Sequence, residues 1–386
     1  MWTLLGMLPV LIWLYLLVGR GAFWHAPALR TQAEPRASPV SPSTEVVAVI
    51  PARNEAALIG EAVRSLLSQR LEGRLHLIVV DDASSDGTGR CALDAAALLG
   101  AQSQLTVLTG AALPAGWTGK LWAMEQGLRL ALQRSPDYVL FTDADIRHDD
   151  GHVASLVHEA EQGARDLVSG MVMLSMQTLA EKWLMPAFVF FFFMLYPPAW
   201  VASSRSRTAA AAGGCMLVRP QALSRIGGLA AIRAELIDDC ALARAIKRSG
   251  GTIRLALTAS AHSLRRYSLP EIGRLISRTA FNQLRHSYGL LLATLAGLVL
   301  TYMVPPGLLL AHRAGAVVLG ACAWALMAVA YGPTLRFYGR NPLWSLSLPA
   351  ISLFYAAATL QSAWQYARGR GGAWKGRAQD VPTGSV

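Results

Sequence analysis

Charge is scarce in this chain. Only 15% of its 386 residues are Asp, Glu, Lys or Arg, against about 25% in an ordinary soluble domain. That excludes a disordered protein, which combines low hydrophobicity with high charge density. Cysteine is scarce too. Cys91, Cys215, Cys240 and Cys322 are scattered with no CxxC pair, so their spacing indicates neither a zinc site nor a disulfide framework and suits a reducing compartment. Internal repeats and long low-complexity segments are absent. Apolar residues, by contrast, make up 53% of the chain. A simple soluble enzyme of this length does not need so many, and lipid contact is expected. The length suggests two or three units. Lys and Arg number 35 against 24 Asp and Glu, for a net charge of +11. Such an excess suits anionic lipid, phosphorylated substrates or nucleic acid. The arginines gather near apolar segments rather than on a soluble basic face, which argues against nucleic acid.

The uncharged stretches locate the membrane. Residues 1–19 carry no charge and are long enough to cross the hydrocarbon layer. A cleaved signal peptide wants basic residues before its apolar run. Here Arg20, Arg30 and Arg36 follow it, so residues 1–20 are expected to be an anchor with its N-terminus outside and the following chain in the cytoplasm. Three further uncharged stretches, 289–311, 315–335 and 341–367, are expected to be membrane helices, with Pro305 and Pro306 kinking or ending the first. Three crossings leave the 368–386 tail outside, although Arg368, Arg370, Lys375 and Arg377 favour the inside. The sequence leaves that conflict open. The Phe-rich run 183–201 is cut by Pro186, Pro197 and Pro198. A span there would split the central domain across the membrane, so an interfacial segment is expected. The organisation is then an anchor at 1–20, a linker at 21–43 that is Pro/Ser-rich at its end, a central domain at 44–286, a membrane region at 287–367 and a basic tail at 368–386.

Within the central domain, apolar runs at 46–50, 75–80, 104–108 and 138–142 read as buried strands. They alternate with helical spacing at 57–69, 91–99 and 122–133. Such alternation predicts an α/β domain with a mostly parallel sheet. Ligands in such sheets collect beyond the carboxyl ends of the strands. PARNE (51–55), DDASSDGT (81–88) and DAD (143–145) all fall at such ends.

Taken as residues, each motif has two readings. The carboxylates of DAD suit Mg²⁺ or Mn²⁺ carrying phosphates, or a solvated acidic turn beside Asp149 and Asp150. Asp238 and Asp239 open a helical stretch, as caps suited to its dipole or as a general base at a cleft. Gly213 and Gly214 allow close backbone approach to a ligand, or make an ordinary turn into a strand. Lys120, in GWTGKLWA, can pair with a phosphate or sit in solvent.

In this order and spacing, PARNE, VDDASSDGT, the GK-containing loop, DAD, GGCMLVRP and the DD-x-x-L helix resemble the family 2 glycosyltransferases of the GT-A fold over residues 46–286. GWTGKLWAMEQG, FTDADI, the Phe-rich run and the apolar C-terminal segments are similar to the hopene-associated glycosyltransferases of bacterial hopanoid gene clusters. The resemblance implies a metal-assisted, inverting transfer from a nucleotide sugar, a UDP-sugar first, to a lipid, a hopanoid among the candidates. It implies a multi-pass protein of the bacterial inner membrane with the GT-A domain in the cytoplasm. Residue by residue, it implies that Pro51 and Glu55 line the nucleotide pocket and Asp82 bonds the base. Asp143 and Asp145 would flank the diphosphate, Asp145 as direct ligand of Mg²⁺ or Mn²⁺. Lys120, Gly213, Gly214 and Asp238 would border the sugar nucleotide, and Asp239 would deprotonate the acceptor. Asp238 stands where the family usually has Glu. The Q/RxxRW motif of processive relatives is missing from 265–287, which argues against a polysaccharide synthase. Arg278, Asn282, Gln283 and Arg285 there would contact diphosphate or acceptor, or the stretch would lie as a basic amphipathic helix on anionic headgroups, the role expected of Arg265 and Arg266. A catalytically inert nucleotide-sugar-binding scaffold is the reading from another class. The carboxylates Asp82, Asp143, Asp145 and Asp239 argue against it.

Overall fold

The computed structural model describes residues 2–25, 27–29, 40–369, 373–374 and 377–378. The expected linker and the basic tail are therefore each described only in part.

Eight strands form one sheet: β1 (Glu45–Ala52), β2 (Arg74–Asp81), β3 (Leu105–Thr109), β4 (Tyr138–Thr142), β5 (Ile146–His148), β6 (Leu167–Met173), β7 (Cys215–Val218) and β8 (Ile253–Ser263). Their spatial order is β3-β2-β1-β4-β7-β6-β8-β5. The first four run parallel, as their near-continuous apolar sequences predict. β7 runs antiparallel to both β4 and β6, and β5 antiparallel to β8. Apolar runs do not encode strand direction, and this reversal decides the site.

Both faces of the sheet are buried. Val47, Val49, Ile78, Val80, Val139 and Phe141 face one core, with Leu121 and Leu128 of helix Gly119–Leu132 and Leu242 and Ile246 of helix Asp238–Arg248. The alternate residues Val46, Ala48, Ile50, Leu77, Val79 and Leu140 face a second core, under helices Ala56–Leu67, Thr88–Leu98 and His152–Gln162. Gly127 sets the first helix close to the sheet: a Cβ there would lie 2.5 Å from Val49 Cγ1.

Beyond the sheet stands an apolar helical bundle. Helices Tyr288–Leu308, Ala314–Phe337 and Pro342–Ala367 are long and apolar enough to cross a membrane, and Leu5–Gly19 is a shorter apolar helix packed beside them. Pro305 has no N–H to give the Thr301 carbonyl four residues before it. The Trp13 indole supplies the donor instead, at 3.1 Å, and the first long helix continues through its proline pair to Leu308.

The Phe-rich run forms helix Leu179–Leu195, which joins the two regions. Val189 and Phe193 pack in the sheet core, and Leu184, Met185, Ala187 and Phe190 pack in the bundle. Thr178 and Glu181 close its N-terminus as a capping box.

Candidate active site

The site is built where β4 ends. Because β7 is antiparallel to β4, its first residue pairs with the last of β4, Cys215 with Thr142. Asp143 and Gly214 therefore leave the sheet side by side, although 71 positions separate them in sequence. Thr142 Oγ1 donates to the Gly214 carbonyl at 2.8 Å and ties the two turns together. β1 contributes Pro51 to the same edge.

A cleft of about 460 Å³ opens here, and Pro51, Glu55, Lys120, Asp143, Asp145 and Asp238 line it. Six of the residues expected from sequence are thus brought together. Asp82, Gly213, Gly214 and Asp239 lie just outside that lining. Asp82 is buried at the end of β2 with the Arg53 guanidinium 3.6 Å from its carboxylate, and its N–H bonds the Ala52 carbonyl.

Lys120 occupies the first turn of its helix, where the dipole disfavours a cation. Three carboxylates offset that cost. Lys120 Nζ lies 3.0 Å from Asp143 and 3.1 Å from Asp238. Burial alone would lower its pKa, but Asp143, Asp238 and Asp239 raise it well above the usual lysine value. Burial likewise raises the Asp143 pKa. Lys120 opposes the rise, and Asp145 and Asp238 add to it.

The Asp239 carboxylate reaches under the glycine turn. Its Oδ2 accepts from the Gly213 N–H at 2.8 Å and its Oδ1 from the Cys240 N–H at 2.6 Å. A Cβ on residue 213 would sit 3.2 Å from Oδ2 and 3.4 Å from Lys120 Nζ, so a side chain there would crowd the carboxylate. Burial and the neighbouring Asp238 push the Asp239 pKa up to about 6, against the opposing pull of Lys120 and the two N–H groups. A carboxylate with that value can take a proton near neutral pH.

Sequence reasoning placed Arg265 and Arg266 on lipid headgroups, and the structure corrects this. Both line the cleft. Arg265 follows β8 and lies 2.7 Å from Asp145 and 2.5 Å from Glu55. A guanidinium that pairs two inward carboxylates is drawn away from the surface. Tyr267, Glu271, Arg274 and Arg278 continue this wall. Asn282 and Gln283 do not line it, and the Gln283 amide donates to the Tyr196 hydroxyl. The signal in the sequence is β8 itself, a run at 253–257 apolar except for Arg254, which carries the chain back to the sheet edge.

Asp143, Asp145 and Glu55 offer carboxylate oxygens to one cleft, the donor type a hard divalent cation takes, and no His or Cys lines it among the described residues; the three carboxylates do not close on one another as a ready ligand cluster.

A model of glycosyl transferase family 2 matches residues 47–227, and one of glycosyl transferase family group 2 matches residues 138–361. The chain belongs to glycosyl transferase family group 2. The second match includes β4, the Asp238 helix and most of the apolar bundle, so this family 2 architecture takes in both regions. Among solved structures, it is similar to the mannosyltransferase PcManGT of Pyrobaculum calidifontis, determined in complex with GDP-Man and Mn²⁺. The identity is 17%, the coverage 95% of this chain and 99% of that one, and the TM-score 0.53. The fold is the expected GT-A fold, which in this chain carries three C-terminal apolar helices. An uncharacterized protein of Methanocaldococcus jannaschii is 28% identical over 135 residues, 35% of this chain. The match spans about half of that relative's length, 49%.

Proposed function

We propose that this chain is a membrane-bound glycosyltransferase that moves a sugar from a nucleoside diphosphate sugar to a hydroxyl of a lipid. One observation carries the reading: the acidic cleft is seated against the apolar bundle. Helix Leu269–Ser277 gives Glu271, Arg274 and Leu275 to the cleft and buries Ile272 and Ile276 in the bundle core. A donor rich in phosphate and an acceptor rich in hydrocarbon meet along that one helix.

In this reading Asp143 and Asp145 hold a divalent ion, Mg²⁺ or Mn²⁺, which when bound offsets the charge developing on the leaving diphosphate. Lys120 holds Asp143 and Asp238 in place. Pro51 and Glu55 border the nucleotide, and Asp82 shapes the base end through Arg53. The acceptor oxygen attacks the anomeric carbon while the bond to the diphosphate breaks and its electron pair leaves with the phosphate. Asp239 takes the hydroxyl proton, and in-line attack inverts the anomeric centre. Gly213 and Gly214 border the sugar and acceptor side, with Gly213 leaving the space beside the Asp239 carboxylate open. The hopanoid acceptor and a UDP-sugar donor follow from the sequence resemblance, and the GDP-Man held by the mannosyltransferase makes GDP-mannose the second donor to try. A cytoplasmic active domain in a bacterial inner membrane agrees with the arginines after the first apolar helix.

The test is nucleotide release by detergent-purified protein. UDP- and GDP-sugars are offered with Mn²⁺, Mg²⁺ or EDTA, with and without a hopanoid polyol extract. Lipid-dependent release that EDTA abolishes and Asp239→Asn removes is expected. A folded protein that binds a sugar nucleotide and releases none with any lipid would favour the scaffold reading instead.

A further inference from the structure

Behind the catalytic turns lies a second cluster that the transfer reaction does not use. His148 ends β5, His152 opens the next helix, and Cys215 opens β7. Each offers one ligand atom, and those atoms all lie within 4.8 Å of one another. All three residues are buried, with His148 2% and His152 and Cys215 0% exposed.

Hydrogen bonds assign the ring nitrogens. Thr142 Oγ1 spends its single proton on the Gly214 carbonyl, so toward His148 Nε2, 3.0 Å away, it can only accept. The proton of His148 is therefore on Nε2, and Nδ1 carries a lone pair. That Nδ1 is buried and has no hydrogen-bond partner among the described residues. His152 is oriented in the same manner: its Nδ1 meets Ser260 Oγ at 2.8 Å, and its Nε2 lies 3.3 Å from Cys215 Sγ. Each imidazole is thus held by a hydroxyl through one nitrogen, which leaves His152 Nε2 beside Cys215 Sγ and His148 Nδ1 buried with its lone pair unused. Outer-sphere partners orient metal-binding histidines in this way.

We propose that His148, His152 and Cys215 form a structural Zn²⁺ site beneath the catalytic turns. Two imidazoles and one sulfur suit zinc or another borderline-soft ion rather than the hard cation of the cleft. Binding exchanges the Cys215 thiol proton for a sulfur–zinc bond, and that proton leaves to solvent with no change of oxidation state. Burial raises the thiol pKa to about 12, a cost that a bound cation offsets. The ion would tie β5 to β7 just below Asp143 and Gly214. Spacing hid the set, because Cys215 lies 63 positions from His152 and only the pairing of β7 with β4 brings it there.

The experiment uses the full chain in detergent, washed with EDTA to strip the cleft. Metal analysis is expected to find about one zinc per chain, falling at least severalfold in Cys215→Ser and in His152→Ala but not in Asp143→Asn. Cobalt added to chelator-stripped wild-type protein is expected to give a thiolate-to-cobalt charge-transfer band, a readout that needs no variant to fold. Wild-type protein with neither zinc nor a cobalt band overturns the proposal. So does zinc retained in full by folded Cys215→Ser.

Discussion

Arg265 lies 2.7 Å from Asp145, across 120 positions of sequence, and its other arm reaches Glu55. One guanidinium thus pairs Asp145, a carboxylate proposed to hold the cation, together with Glu55 at the nucleotide border. Arg265→Gln would remove the cation paired with Asp145, leaving its negative charge for a divalent ion to offset. The half-saturating Mn²⁺ concentration is expected to fall severalfold in this variant, measured by nucleotide release at fixed donor. An unchanged or higher requirement would mean that Arg265 does not compete with the metal.

The two adjacent aspartates divide between the cleft wall and the space beneath the glycine turn, and their variants should differ. Asp239→Asn removes the proposed base, with an expected loss of about 10²- to 10⁴-fold in kcat and little change in donor binding. Asp238→Asn removes a partner of Lys120 and is expected to weaken donor binding more than it slows turnover. Reversed patterns would give the base to Asp238.

Acid should silence the enzyme through Asp239. Its carboxyl titrates at about 6, raised by burial first and by Asp238 second. The active, ionised form is full above that value and lost below it. The logarithm of kcat/KM is expected to fall with unit slope below about pH 6, followed by the rate of nucleotide release. Activity that stays flat from neutral pH down to about 5 would exclude this group as base.

Glu181 is wholly buried, and its carboxylate accepts from the N–H groups of Gln177, Thr178 and Tyr267 at 2.8, 2.8 and 2.7 Å. Those bonds tie the Phe-rich helix to the arginine wall. Burial would raise the Glu181 pKa, but the N–H groups of Thr178, Tyr267 and Gln177 bring it below the usual value. Its contribution is therefore present above the ordinary Glu range and fades as pH falls through the folded-state pKa. Glu181→Ala is expected to cost roughly 3 kcal/mol near neutral pH, read as thermal unfolding in detergent. The gap between wild type and Glu181→Gln should narrow in acid. A constant gap at all pH values would mean that the negative charge contributes nothing.

The sequence by itself determined the strands β1 to β4, the helices between them and the apolar C-terminal helices. In each, local periodicity and burial agree: Val46–Ile50 and Leu77–Val80 are apolar without interruption because both sheet faces are covered. It also placed PARNE and DAD correctly at strand ends, since a polar cluster after a buried strand marks where the chain leaves the sheet. Only the tertiary structure decided that β7 runs antiparallel. Strand direction depends on where the chain re-enters the sheet, not on its side chains, and it put Gly213 and Asp239 beside Asp143. The same holds for Arg265, whose sequence neighbourhood reads as a headgroup-binding stretch. Its partners Glu55 and Asp145 lie 210 and 120 positions away, and the charge they place beside it, rather than local amphipathicity, turns it into the cleft.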